Sequence, residues 1–145
     1  MITNDRQYQQ TRKKLRDLET LIAATEAGDA GDDGFRDLQI AGLQSQTTDL
    51  GDEITEYETL RDGGTTVIEA SSLAGLADAL IKARVARGWT QGQLADRLGV
   101  AEQQVQRYES SSYRTASLAR LCDIAGALGV TITQRAQLGK VDNVA

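Results

Sequence analysis

The sequence predicts a mainly α-helical protein: an antiparallel, coiled-coil-like helical hairpin, then a compact bundle of short helices, with at most one short C-terminal strand. Three observations carry this expectation. The chain has 145 residues and no proline, so the usual breaker of long helices is missing. Residues 1–62 carry two narrow apolar seams that recur every seven residues. From residue 71 the pattern changes to short helical segments punctuated by Gly, Ser or Thr.

The first helix is expected over 3–26, with Thr3, Asn4 and Asp5 as candidate N-caps. Tyr8, Leu15 and Ile22 form one row of its seam, and Thr11, Leu18 and Thr25 the other. The stretch GDAGDDG, residues 28–34, resists both helix and strand and is expected to turn. The second helix is expected over 35–61. Leu43, Leu50 and Tyr57 form one row and Thr47, Ile54 and Arg61 the other, with Phe35, Leu38 and Leu60 extending the stripe. Two helices of similar length, each with one seam, point to an antiparallel pair. Neither seam is rich, so the hairpin is expected to pack on a second copy or on a partner protein.

DGGTT, residues 62–66, is a break, and Val67–Ile68 allows a very short strand. Compact helices are expected over 71–87, 90–98, 101–109 and 117–128, and VTITQRAQL, residues 130–138, allows a strand at 130–135. Residues 139–145 read as a frayed tail. The expected organisation is thus a hairpin over 1–62, a linker over 63–70, a helical domain over 71–138 and a tail. Trp89, Leu118, Leu121, Ile124 and Leu128 are expected in the core, and Cys122 with them as a small apolar residue.

Composition narrows the function. The chain has no histidine and one cysteine. This removes His-based catalysis, the usual zinc shells and any intrachain disulfide, and it suits a reducing, cytoplasmic setting. Asp29, Asp32 and Asp33 lack the alternating spacing and distal Glu of a calcium loop, so no metal and no cofactor is expected. No apolar run approaches the roughly 20 residues of a membrane helix, and MITNDRQYQQ is too polar for a signal peptide. With no phosphate loop and no nucleophile–base pair, an enzyme is not expected. The net charge of −5 is uneven: residues 1–72 hold 7 Lys/Arg against 15 Asp/Glu, and residues 73–145 hold 9 against 6. The basic half can face phosphates while the acidic half faces elsewhere.

The informative stretch is TQGQLADRLGVAEQQVQRYESSSY, residues 90–113. Counted from Gln91, apolar residues fall at the fourth, eighth, tenth, fifteenth and eighteenth places: Leu94, Leu98, Val100, Val105 and Tyr108. Ala95 stands where two helix backbones approach, and Gly99 where the chain must turn sharply in a left-handed conformation. Setting Val105 and Tyr108 inward puts Gln103, Gln106, Arg107 and Ser110 outward at 100° per residue. Gln pairs bidentately with adenine and Arg with guanine, so this is a base-reading face in chemistry as well as in position. Glu102, at the start of the same helix, can accept from cytosine.

These residues resemble the Cro and λ-repressor type of helix–turn–helix, the xenobiotic-response-element family, over about residues 71–130. ALIKARVARGWTQGQLADRLGV is also similar to the DNA-binding half of HigA-type antitoxins. The resemblance implies a λ-repressor-like bundle whose third helix enters the major groove of double-stranded DNA, usually as a dimer on a two-fold-related operator. It implies a DNA-backbone contact for Gln91 and a scaffold salt bridge between Arg84 and Glu109, with Arg84 also in reach of phosphate. Thr90 caps the helix that Gln91 opens, and with it belongs to the expected phosphate contacts, as do Ser110, Tyr113 and Arg114. Two departures stand out. Ala101 replaces the usual capping Ser or Thr of the recognition helix, and SSS, residues 110–112, replaces the usual glycine after it.

The expected function is a sequence-specific, dimeric DNA-binding repressor, as the autoregulating antitoxin of a toxin–antitoxin pair that binds its toxin through residues 1–62. The alternative is a stand-alone regulator of phage or plasmid type whose hairpin serves only dimerisation.

Overall fold

The computed structural model describes residues 1–28 and 33–139. Of the turn expected over 28–34, residues 29–32 lie outside the described residues, as do the chain end from 140 and the carboxylates of Asp29 and Asp32; Asp33 and Gly34 already belong to the second helix, which starts two residues earlier than expected. Among the described residues six helices follow one another: α1 (Asp5–Ala27), α2 (Asp33–Arg61), α3 (Leu73–Ala86), α4 (Gln91–Leu98), α5 (Glu102–Ser110) and α6 (Leu118–Leu128). The described residues contain no strand, so the strands allowed at 67–68 and 130–135 do not form. Val67 and Ile132 are exposed.

Capping sets most of the helix starts. Asn4, Ser72, Thr90 and Ser117 each accept a backbone N–H two or three residues into the helix that follows. At α4 the cap is reciprocal, because the Gln93 side chain also accepts the Thr90 backbone N–H at 2.8 Å.

α1 and α2 pair antiparallel. Asp5 bridges Arg61 at 3.1 Å, Tyr8 stacks on Tyr57 with ring centroids 5.2 Å apart, and Arg36 donates to the Gly28 carbonyl near the other end. The seam residues Thr11, Leu15, Leu18, Ile22, Leu43, Thr47, Leu50 and Ile54 are half-buried between the helices. Phe35 and Leu38 do not extend the stripe: both are exposed, and Ile40 turns inward in their place.

The hairpin is seated on the rest of the protein. Ile2, Tyr57, Leu60 and Val85 form a buried cluster that joins α2 to α3, and Lys82 pairs with Glu56 at its margin. A second core lies within α3–α6: Leu80, Ile81, Leu94, Ala95, Val105, Ile124 and Leu128 are almost wholly buried. Ala95 is 1% exposed, in keeping with a place that admits only a small side chain. Trp89 and Leu121 pack against this core only in part. Leu118 and Cys122 are not core: they point outward from α6, one turn apart, because Ile124, Ala125 and Leu128 take its inner face.

Candidate nucleic-acid interface

α4 and α5 form a helix–turn–helix. Gly99 ends α4 at φ 66°, its N–H donating to Asp96 and that of Val100 to Ala95. This pair of bonds satisfies carbonyls that the helix end would leave open. Leu94 and Ala95 of α4 are buried, as is Val105 of α5, while Tyr108 is half-buried. The opposite face of α5 is therefore turned to solvent: Glu102, Gln103, Gln106, Arg107 and Ser110 are all exposed.

The exposed face divides into two rows. Gln103 and Arg107 form the outer row, one helical turn apart. Glu102, Gln106 and Ser110 form the inner row and border a cleft of about 1210 Å³. In that row Gln106 donates to Glu102 at 3.1 Å, and the Ser110 hydroxyl donates back to the Arg107 carbonyl at 3.0 Å. Glu102 also leans over the start of α4, where a Cβ on Gly92 would stand 3.2 Å from its carboxylate. A carboxylate is favoured at that helix N-terminus. Thr90 and Gln91 border the same cleft, and so does the first turn of α1.

One buried ion pair holds this surface in place. Arg84 and Glu109 have side chains 2% and 1% exposed, joined by Nε–Oε1 and Nη2–Oε2 hydrogen bonds of 2.5 and 2.7 Å. Two further donors of Arg84 reach the Trp89 and Thr3 carbonyls, so four of the five guanidinium N–H groups are held internally. Gln91 completes the network by donating to Glu109 Oε2 at 2.7 Å. It is half-buried, with one amide N–H held by the scaffold.

α5 starts without a side-chain cap, since Ala101 has none to offer. It ends in the same hydrogen-bond arrangement as α4: Ser112 N–H donates to Glu109 and Tyr113 N–H to Tyr108. Ser112 takes the glycine place at φ 47°, and Tyr113 follows at φ 55°. Tyr113 then stacks on Tyr108 with ring centroids 6.0 Å apart, the apolar contact that accompanies such a helix end. This corrects the sequence expectation for Tyr113 as a phosphate contact. The residue is 3% exposed and its hydroxyl is buried without a hydrogen-bond partner. Burial, reinforced by the nearby Glu109 charge, pushes its phenol well above the ordinary value of 10.0. Arg114 stays at the surface, its Nε donating to the Ser111 carbonyl. Among the described residues no group of side chains could hold a metal ion, and no helix is long and apolar enough to cross a membrane.

Residues 80–134 match the model of a family described as helix-turn-helix. No curated protein and no solved structure matches the chain.

Proposed function

We propose that the protein is a sequence-specific double-stranded DNA-binding transcription repressor that acts as a dimer and, in its cell, works in the cytoplasm. One observation carries the reading: in a helix-turn-helix, α5 presents Gln103 and Arg107 side by side to solvent while a buried Arg84–Glu109 pair fixes that helix from behind. Gln matches the adenine edge and Arg the guanine edge, each good bidentate pair giving about 1–3 kcal/mol of discrimination. Thr90, Gln91, Ser110 and Arg114 frame the helix as contacts to the sugar-phosphate backbone, and Gln106 and Glu102 flank the bases. Occupancy of an operator excludes polymerase. The protein is a binding protein in this reading, not an enzyme.

Selection of bound duplexes from a random pool tests it. The expected result is an enriched motif, arranged as two related half-sites if the dimer binds. Recovery of duplexes with no common motif at any salt overturns the reading.

The acidity of α2 favours a second role beside the first. Asp33–Arg61 holds seven Asp/Glu and two Lys/Arg, and exposes Phe35 and Leu38 at its start. That surface suits a basic partner protein, so we read the chain as the autoregulating antitoxin of a toxin–antitoxin pair. Co-expression with the product of a neighbouring basic reading frame tests this. Neutralisation of that product by residues 63–145 alone would remove the hairpin from the role.

A further inference from the structure

The acidity of the first half of the chain does not extend to its first helix. Between Asp5 and Asp17, α1 carries Arg6, Arg12, Lys13, Lys14 and Arg16 and no acid. All five are exposed. Arg12 lies over the Tyr8 ring, whereas Arg6, Lys13 and Lys14 form no ion pair among the described residues. Helical geometry puts Arg6, Gln10, Lys13 and Lys14 on one side of α1, away from the seam.

That stripe starts inside the cleft beside the recognition helix. Arg6 and Gln10 line it together with Gln91, Gln106 and Ser110. Two of the acids at the rim are paired, Asp5 with Arg61 and Glu109 with Arg84. Glu102 accepts from Gln106, and Asp78 is the remaining carboxylate. From Arg6 to Lys14 the stripe runs about 12 Å at 1.5 Å per residue, the axial length of three to four base pairs.

We infer that the Arg6–Lys14 stripe of α1 is a second DNA-contacting surface, which grips the sugar-phosphate backbone of the duplex just outside the bases read by α5. Continuity with the α4–α5 surface and charge of the right sign select the duplex backbone as its occupant. The inference rests on the reading of α5 as the base-reading helix. It makes the hairpin part of the DNA interface, with the acidic α2 turned to other duties.

The test measures affinity against salt for the full chain on a duplex taken from the selection above and on an unrelated duplex. In R6Q/K13Q/K14Q, loss of three phosphate contacts lowers the slope of log K against log salt by about 2.7. Affinity falls on both duplexes by at least about tenfold at 0.1 M salt, and the preference between them is kept. Hydroxyl-radical protection outside the half-sites disappears, and protection within them stays. Gln10→Lys, which adds a charge to the stripe, raises the slope by about 0.9 and serves independently of whether the triple variant folds. An unchanged slope and footprint in these variants overturns the inference while leaving DNA reading by α5 intact. That result would also follow if the stripe served an acidic protein instead. A wild-type chain that selects no duplex fails the underlying reading, so the two failures are told apart.

Discussion

Arg84 and Glu109 face each other through two parallel hydrogen bonds, and the same arginine holds the Thr3 carbonyl 81 residues away in sequence. One guanidinium therefore ties the segment before α1 to α5. Removing one member of such a pair strands a charge in a dry interior. Glu109→Ala is expected to lose about 3–5 kcal/mol in denaturant unfolding. A loss below about 1 kcal/mol would show that the surroundings, not the pair, hold α5 in place.

Gln103→Ala and Arg107→Ala test the reading face without touching the scaffold, since both side chains are exposed. Each is expected to leave the melting temperature unchanged and to cost about 1–3 kcal/mol of discrimination at one position of the bound site. The relaxed positions should differ between the two variants. Equal weakening on every duplex would assign these side chains to the phosphates instead.

The two ends of α5 are open to improvement. Ala101 sits at φ −71° and ψ 145°, a backbone ready for a capping side chain, so Ala101→Ser is expected to stabilise by about 1 kcal/mol. Ser112 holds a left-handed conformation that costs a non-glycine residue roughly 1–2 kcal/mol. Glycine loses more freedom on folding, by roughly 0.5–1 kcal/mol, so Ser112→Gly should gain about 0.5 kcal/mol or slightly more. A destabilised Ser112→Gly would mean that the serine side chain contributes more than its backbone strain removes.

Tyr113 predicts an alkaline weakness. Its buried phenol ionises above the 10.0 of the unfolded chain, so the protonated form favours the folded state. That contribution is complete below pH 10 and is lost as pH climbs toward the folded value. Unfolding free energy should fall above pH 10, and Tyr113→Phe should lessen the fall. At neutral pH the same substitution removes a buried hydroxyl that has no partner, so stability should hold or rise, by up to about 1–3 kcal/mol. A clear loss at pH 7 would reveal a hydrogen bond to that hydroxyl.

Periodicity made the helices and the hairpin legible. The rows through Tyr8, Leu15 and Leu50 lie where a seven-residue repeat puts them, because a long helix averages its pattern over many turns. It served less well at the ends. Phe35 and Leu38 stand before the seam is established, and Leu118 and Cys122 lie on an eleven-residue helix with apolar residues on more than one face. Only packing decides which of those faces is inner. Tyr113 was hidden because its place depends on a serine adopting a glycine conformation one residue earlier. The burial of Ile2 carries no local pattern at all, being set by α2 and α3. On the proposed DNA face, the net charge of the first half conceals the basic run of α1 under the acids of α2.

Cys122, the single cysteine, stands at the surface of α6. A maleimide dye would thus attach once per chain with no engineered thiol. Donor and acceptor labels placed there on mixed copies would report the separation of two α6 helices by energy transfer. Storage without a reductant would invite covalent cross-linking through the same sulfur.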